Sequence, residues 1–159
     1  MRAKESLFNK LSEAFTDGDI PDTSDLLLYS TARERIDRDY TRIVRLDFTG
    51  GTFTQSGEIE REEQDVDFTV QCFVIPDTSI EEKLKAEDLA VDHAFDLAKS
   101  IYLFLAKNKY LMLKDQTEPQ VCDLLFPESQ KNFDLGMANF EGKRVGACYL
   151  YGVINPTGV

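Results

Sequence analysis

The sequence is short of most of what chemistry at a protein site requires. It holds one histidine, His93, which excludes a multi-histidine metal centre within a single chain. Its three cysteines, Cys72, Cys122 and Cys148, are odd in number, far apart and set in apolar stretches, with no CxxC pair. Buried free thiols are therefore expected. No GxGxxG follows a predicted strand, and Gly142-Lys143-Arg144 lacks the glycine spacing of a phosphate-binding loop. No serine sits in a GxSxG elbow. The longest apolar runs, Leu26 to Tyr29 and Ile101 to Ala106, are far too short to cross a bilayer. Met1 to Glu5 leads straight into an amphipathic pattern without the apolar stretch of a secretory leader. The expectation is a protein that stays in the cytoplasm where it is made.

Positive charge is also scarce. The formal net charge is −11, and residues 50–99, with 13 acidic and 4 basic groups, supply −9 of it. Such a surface repels phosphates and has no basic stripe to release counterions, which argues against sequence-independent nucleic-acid binding.

What is present is a clear alternation of helix and strand patterns. Leu7, Phe8, Leu11, Ala14 and Phe15 define one face of a short amphipathic helix over Lys4 to Phe15, stopped by Thr16-Asp17-Gly18-Asp19 with Gly18 as a left-handed cap. Leu26 to Tyr29 reads as a short strand. Thr41 to Thr49 alternates, with Val44, Leu46 and Phe48 on one side and Arg45 and Asp47 on the other. Val66, Phe68, Val70, Cys72 and Val74 repeat the pattern against Asp65, Asp67, Thr69 and Gln71. Period two with one polar face predicts an antiparallel sheet, open to a mixed one, covered on one side only. The two strands are joined by about sixteen residues, too long for a tight turn. They predict a long hairpin, about 50–64, whose acidic arm projects from the body. Thr78 with Glu81, and Ser79 with Glu82, have capping-box spacing and predict the start of a long helix. Leu84, Val91, Phe95, Ala98, Tyr102 and Leu105 form its stripe, widened by Ala90, Ala94, Leu97, Ile101 and Phe104. Val121 to Phe126 and Val145 to Ile154 read as further strands, with a turn at Gly142-Lys143. In the last strand Val145, Ala147, Tyr149, Tyr151 and Val153 share one face, and Gly146, Cys148, Leu150 and Gly152 the other.

No repeat or linker divides the 159 residues, so residues 1–159 read as a single domain. The element order predicts an α+β fold: a two-layer sandwich, its sheet covered by the long helix plus the N-terminal one. Asp92-His93 with Asp96 is the nearest approach to a catalytic group, and solvent-side helix polarity explains it as well. Glu58, Glu60, Glu62, Glu63, Asp65 and Asp67 lack the ligand order of a calcium loop, and strand alternation separates Glu62 from Glu63. These readings predict no catalytic residue, metal or cofactor. The alternating run Arg33, Glu34, Arg35, Asp37, Arg38, Asp39 reads either as a solvated charge run or as an intersubunit surface.

The layout resembles the tail-terminator, or tail-completion, proteins of tailed bacteriophages. The likeness runs from about Leu7 to Ile154. It lies in an N-terminal helix, a strand pair with a long acidic hairpin, the junction from Phe68-Thr69-Val70-Gln71-Cys72-Phe73-Val74 into Ser79-Ile80-Glu81-Glu82, a long alanine-containing helix and closing strands. The resemblance implies a structural virion protein, assembled in the bacterial cytoplasm and placed at the tail–head junction. Such proteins form a ring, typically of six subunits, that ends tube growth. The implied partners are further copies of the chain, the tail tube protein and a head connector or neck protein, with DNA passing the lumen unbound. Arg33, Arg35, Asp37, Arg38, Asp39, Glu58, Glu60, Arg61, Glu62 and Glu63 are then the expected subunit or tube contacts. Rivals are another neck or tube subunit, a small enzyme built on Asp92-His93-Asp96, and an acidic protein-binding module that mimics DNA.

Overall fold

The computed structural model describes residues 2–20, 25–30, 40–48, 65–113, 120–127 and 132–157. The order is α1 (Arg2–Asp17), β1 (Leu26–Ser30), β2 (Arg42–Phe48), β3 (Val66–Val74), α2 (Lys83–Lys107), β4 (Tyr110–Leu113), β5 (Gln120–Leu125), β6 (Phe133–Phe140) and β7 (Lys143–Thr157). The α+β class predicted from the element order is what forms.

Helix α1 buries Ala3, Leu7, Leu11 and Ala14 at helical spacing, with Phe8 and Phe15 flanking the same core. It ends as its sequence predicts. Gly18 takes φ +77°, and the N–H groups of Asp19 and Ile20 both donate to the Ala14 carbonyl, at 3.0 and 3.4 Å. That is the six-to-one closure of a glycine-terminated helix, and it turns Ile20 straight into the core.

The strands form one sheet in the order β1-β2-β3-β7-β5-β4, with β6 also on β7. Strands β2 and β3 pair antiparallel, as predicted, with Val44 opposite Cys72 and Leu46 opposite Val70. Their last described pair is Phe48 with Phe68. Strand β1 runs parallel to β2, which makes the sheet mixed. Asp25 sets that pairing: its Oδ2 accepts from the Thr41 N–H at 3.1 Å and from Thr41 Oγ1 at 2.8 Å, tying the two strand starts together. Strand β7 is the spine. Strand β3 lies along one of its edges, while β6 takes Lys143–Leu150 and β5 takes Val153–Thr157 on the other. At the changeover the Tyr151 N–H donates to the Asn132 carbonyl at 3.1 Å. Strands β4 and β6 were not anticipated from the sequence.

Helix α2 is shorter than its capping pattern suggests, about 37 Å at the standard rise. Thr78 and Ser79 do not cap it. They lie in a turn where Asp77 Oδ1 accepts the Ser79 N–H at 2.9 Å, and the helix opens five residues after Thr78 with Glu82 as an N-cap lacking a side-chain bond. An aspartate-anchored turn competes directly with helix initiation, and here it wins. Leu84, assigned to the apolar stripe, is instead exposed in the first turn. The rest of the stripe holds: Ala90, Ala94, Leu97, Ala98, Ile101 and Leu105 pack on Val70, Cys72, Cys148 and Leu150.

The expectation of a sheet with one polar face needs correction. Helix α2 covers the face bearing Gly146, Cys148, Leu150 and Gly152, as expected from alternation. The opposite face carries a second buried cluster of Ile43, Phe73, Phe140, Val145 and Ala147. Phe73 stacks on Phe140 at 4.7 Å and meets Tyr149 edge-on at 5.9 Å. The Arg45 guanidinium lies 5.5 and 5.9 Å from the Phe73 and Phe140 ring centres, held by its Nε donating to Gln71 Oε1. Arg45 and Gln71 are polar positions that serve as a lid over aromatics.

Helix α1 packs against both β4 and β1, the outermost strands of the sheet. Six flat strands would span about 24 Å, while a helix is about 10 Å across. The sheet therefore curls around its helices.

Candidate functional site

All ten expected contact residues lie outside the described residues: Arg33, Arg35, Asp37, Arg38, Asp39, Glu58, Glu60, Arg61, Glu62 and Glu63. So does the hairpin expected over about 50–64. What the structure places is the framework on either side. The Arg33–Asp39 run joins β1 to β2, and the acidic arm joins β2 to β3, so both leave from the β1–β2–β3 side of the sheet.

His93 and Asp96 are exposed on α2 and line a groove of about 710 Å³. Its other walls are Thr41 and Arg42 of the β2 start, Val74 of β3, and Ile75 to Thr78 leading into α2. Ser100 and Leu97 complete it. Asp92, the third member of the sequence triplet, is not among its lining residues. Asp77 is held below the usual carboxylate range by the hydrogen bonds it accepts from Ser79. The groove thus gathers a cation, an imidazole and carboxylates around an apolar floor, and sequence alone had joined only His93 to Asp96. Among the described residues no group of three or more His, Cys, Asp or Glu side chains has the spacing of a metal site.

An ion pair lies at the α2–β7 contact. Glu87, 8% exposed, accepts from Arg144 Nε at 3.1 Å, fastening the first half of the helix to the start of the spine strand. Immediately beyond it, Gly146 meets the helix backbone itself.

Among the described residues large apolar side chains break the surface at both ends of α2, and also at Leu103 within that helix (49% exposed) and Leu135 of β6 (51%). At its start Leu84 is 71% exposed. Past its end, on the helix-free face, Tyr110 and Met112 of β4 are 60% and 50% exposed, with Leu125 of β5 at 40%. The pairing of Tyr110 with Asp123 puts all three on the same side of the sheet. Lys10 Nζ donates to the Tyr110 carbonyl at 2.9 Å, and Lys109 Nζ sits 5.6 Å from the Tyr110 ring centre. Because β4 itself was not read in the sequence, this patch was not either. The signal available was the apolar run Tyr110-Leu111-Met112-Leu113 beside three lysines.

The thiols of Cys72 and Cys148 face each other across β3 and β7, both buried and both free, as expected. Burial pushes Cys148 up to about 11 and Cys72 well above the ordinary thiol range. Among the described residues no helix is long and apolar enough to cross a membrane. The chain matches no protein-family model and no curated protein.

Proposed function

We propose that the chain is a structural subunit of a ring resembling the phage tail terminators. In this reading it ends growth of a tail tube at its head-proximal end and joins the tail to a neck or connector protein. The observation that carries it is the element order: α1, a β2–β3 pair with a long acidic connection, β3 running into α2, and α2 lying back across that same sheet. The finer features belong to the same proposal. These are a two-layer single domain, a projecting segment over 50–64, a ring of typically six copies, and an acidic lumen that passes DNA without holding it. Complementary charge sets partner and register in such assemblies more than it sets raw affinity.

Mass measurement in solution with negative-stain imaging of purified protein is the direct test. Closed rings support the reading. An open filament indicates a tube subunit, and a monomer that binds a basic DNA-binding protein in a salt-sensitive manner indicates the acidic module. Deleting Thr52 to Glu63 is expected to leave a folded protein that no longer limits tail length; tails of normal length with that variant would remove the segment from the mechanism.

The groove beside His93 favours a second reading, in which this surface binds a small polar ligand or acts on one. Among the described residues the His93 side chain has no hydrogen-bond partner to orient its ring for proton transfer. The ring reading expects His93→Ala to leave tail completion unchanged. Loss of biological activity in a folded His93→Ala protein would favour the groove instead.

A further inference from the structure

We infer that the lysine-flanked apolar patch on β4 and β5 is the seat for the α2 start of a second copy of this chain. The inference rests on the ring reading and names a contact that would build the ring. The patch has Tyr110, Met112 and Leu125 at its centre. Two lysines touch it, Lys109 over the Tyr110 ring and Lys10 at the Tyr110 carbonyl, and Lys107 is exposed two residues before Lys109 in the last turn of α2. Asp19 shares a hollow with Lys107, and half-buried Asp123 lies across from Tyr110, so the positive charge is concentrated on the Lys109 side.

The opposite end of α2 has the complementary build. Leu84 stands out from the surface more than any other large apolar side chain described. Glu81 and Glu82 precede it, and on its own side of the helix Asp88 follows one turn later and Asp92 two turns later, all exposed. Lys83 and Lys85 flank Leu84 in sequence but point about 100° away on either side. An apolar knob in an acidic setting therefore faces an apolar seat with lysines beside it. Apolar anchors with a charged rim of opposite sign are the ordinary anatomy of a specific contact.

The two surfaces are different and sit at opposite ends of a helix about 37 Å long. A single chain cannot join them to itself, whereas two copies can exchange both contacts about a twofold axis or a series of copies can repeat one contact head to tail. The ring reading takes the head-to-tail arrangement, which closes when the rotation per subunit permits, and a particle mass of two chains would instead show the twofold exchange.

Charge exchange tests this with the full chain, read by sedimentation at several concentrations. Lys107→Glu/Lys109→Glu and Glu81→Lys/Glu82→Lys change only exposed side chains, so both proteins should fold. Each alone is expected to weaken self-association at least tenfold, and an equimolar mixture to recover it. As a second measurement, Leu84→Cys mixed with Met112→Cys should form a cross-linked dimer with a short bismaleimide, the native thiols being buried. Association of both charge variants at the wild-type level would overturn this contact while leaving the ring reading standing. Weakening in both without recovery in the mixture would overturn the pairing of these two surfaces. A wild-type chain that neither associates nor cross-links and shows no ring on tubes would remove the ring reading and this contact together.

Discussion

Gly146 shows how much a single position can decide. A Cβ built there would lie 2.3 Å from the backbone carbon of Ala90, so the glycine is what lets α2 touch the spine strand backbone to backbone. Gly146→Ala should destabilise the fold by about 1–3 kcal/mol, the usual cost of overpacking a rigid contact. Gly136→Ala, with open space around the added methyl and no left-handed backbone, should be close to neutral. Denaturant titration of the two variants measures the difference directly. The paired thiols make a prediction in pH. At neutral pH both folded and unfolded chains keep them protonated, and they contribute nothing. As pH rises past the ordinary thiol range the unfolded chain loses these protons first, while burial holds them on in the fold. The folded state then binds more protons, so stability falls with rising pH, through about pH 11 for Cys148. Tyr151, also raised by burial with Asp134 nearby, acts in the same direction. The melting temperature of the wild type should therefore drop more steeply above pH 9 than that of Cys72→Ala/Cys148→Ala; parallel slopes would refute the role of the thiols.

At the scale of elements, helix faces were legible because a period of 3.6 is a local property. Leu7, Leu11 and Ala14 on α1 and Ala94, Leu97, Ile101 and Leu105 on α2 are where their spacing places them. Helix starts were less legible. Thr78 and Ser79 have the right spacing for a cap, but Asp77 offers the same backbone donors a turn, and only the route of the chain chooses between them. Because Glu82 is an N-cap without a side-chain bond, Glu82→Asp should add about 1 kcal/mol of stability by supplying a shorter acceptor. A melting temperature no higher than wild type would show that the first turn is already satisfied. Strand β6 was missed because Phe133-Asp134-Leu135-Gly136-Met137-Ala138-Asn139-Phe140 has weak alternation. Its pairing along Lys143–Leu150 is imposed by the tight turn at Glu141-Gly142, both with positive φ, φ 48° and +79°. Strand β4 is only four residues long and follows directly on a helix that ends in lysine, which hid it. The helix-free face was misread as polar. Ile43 and Phe73 fall in step with Arg45 and Gln71, and apolar residues among polar ones were the sign of a second cluster. Phe73→Ala should cost about 3–5 kcal/mol in denaturant titration because Phe73 is buried in that cluster, and a cost under about 1 kcal/mol would count against a second core.

At the scale of the whole molecule, curvature is the property that no segment displays alone. Helix α1 reaches both outer strands only because the sheet bends around it, and that bend carries β4 to a position beyond the end of α2. The charge asymmetry of the chain then acquires a direction, acidic at the helix start and basic past its end. Adding salt should therefore weaken any self-association through these ends, with the dependence lost in the charge-exchanged mixtures' parent variants; sedimentation across an ionic-strength series reads it. By itself the sequence determined the α+β class, the buried faces of both helices, the alternating faces of β2 and β3 and the burial of the thiols. Each of these follows from periodicity, and periodicity needs only near neighbours along the chain. The tertiary structure alone decided the parallel β1–β2 pair, the sharing of one β7 edge by β5 and β6, the second cluster and the exposed ends of α2. Those depend on which distant segments come to lie side by side, and hydrogen-bonding groups on a strand edge carry no label for the partner they will meet.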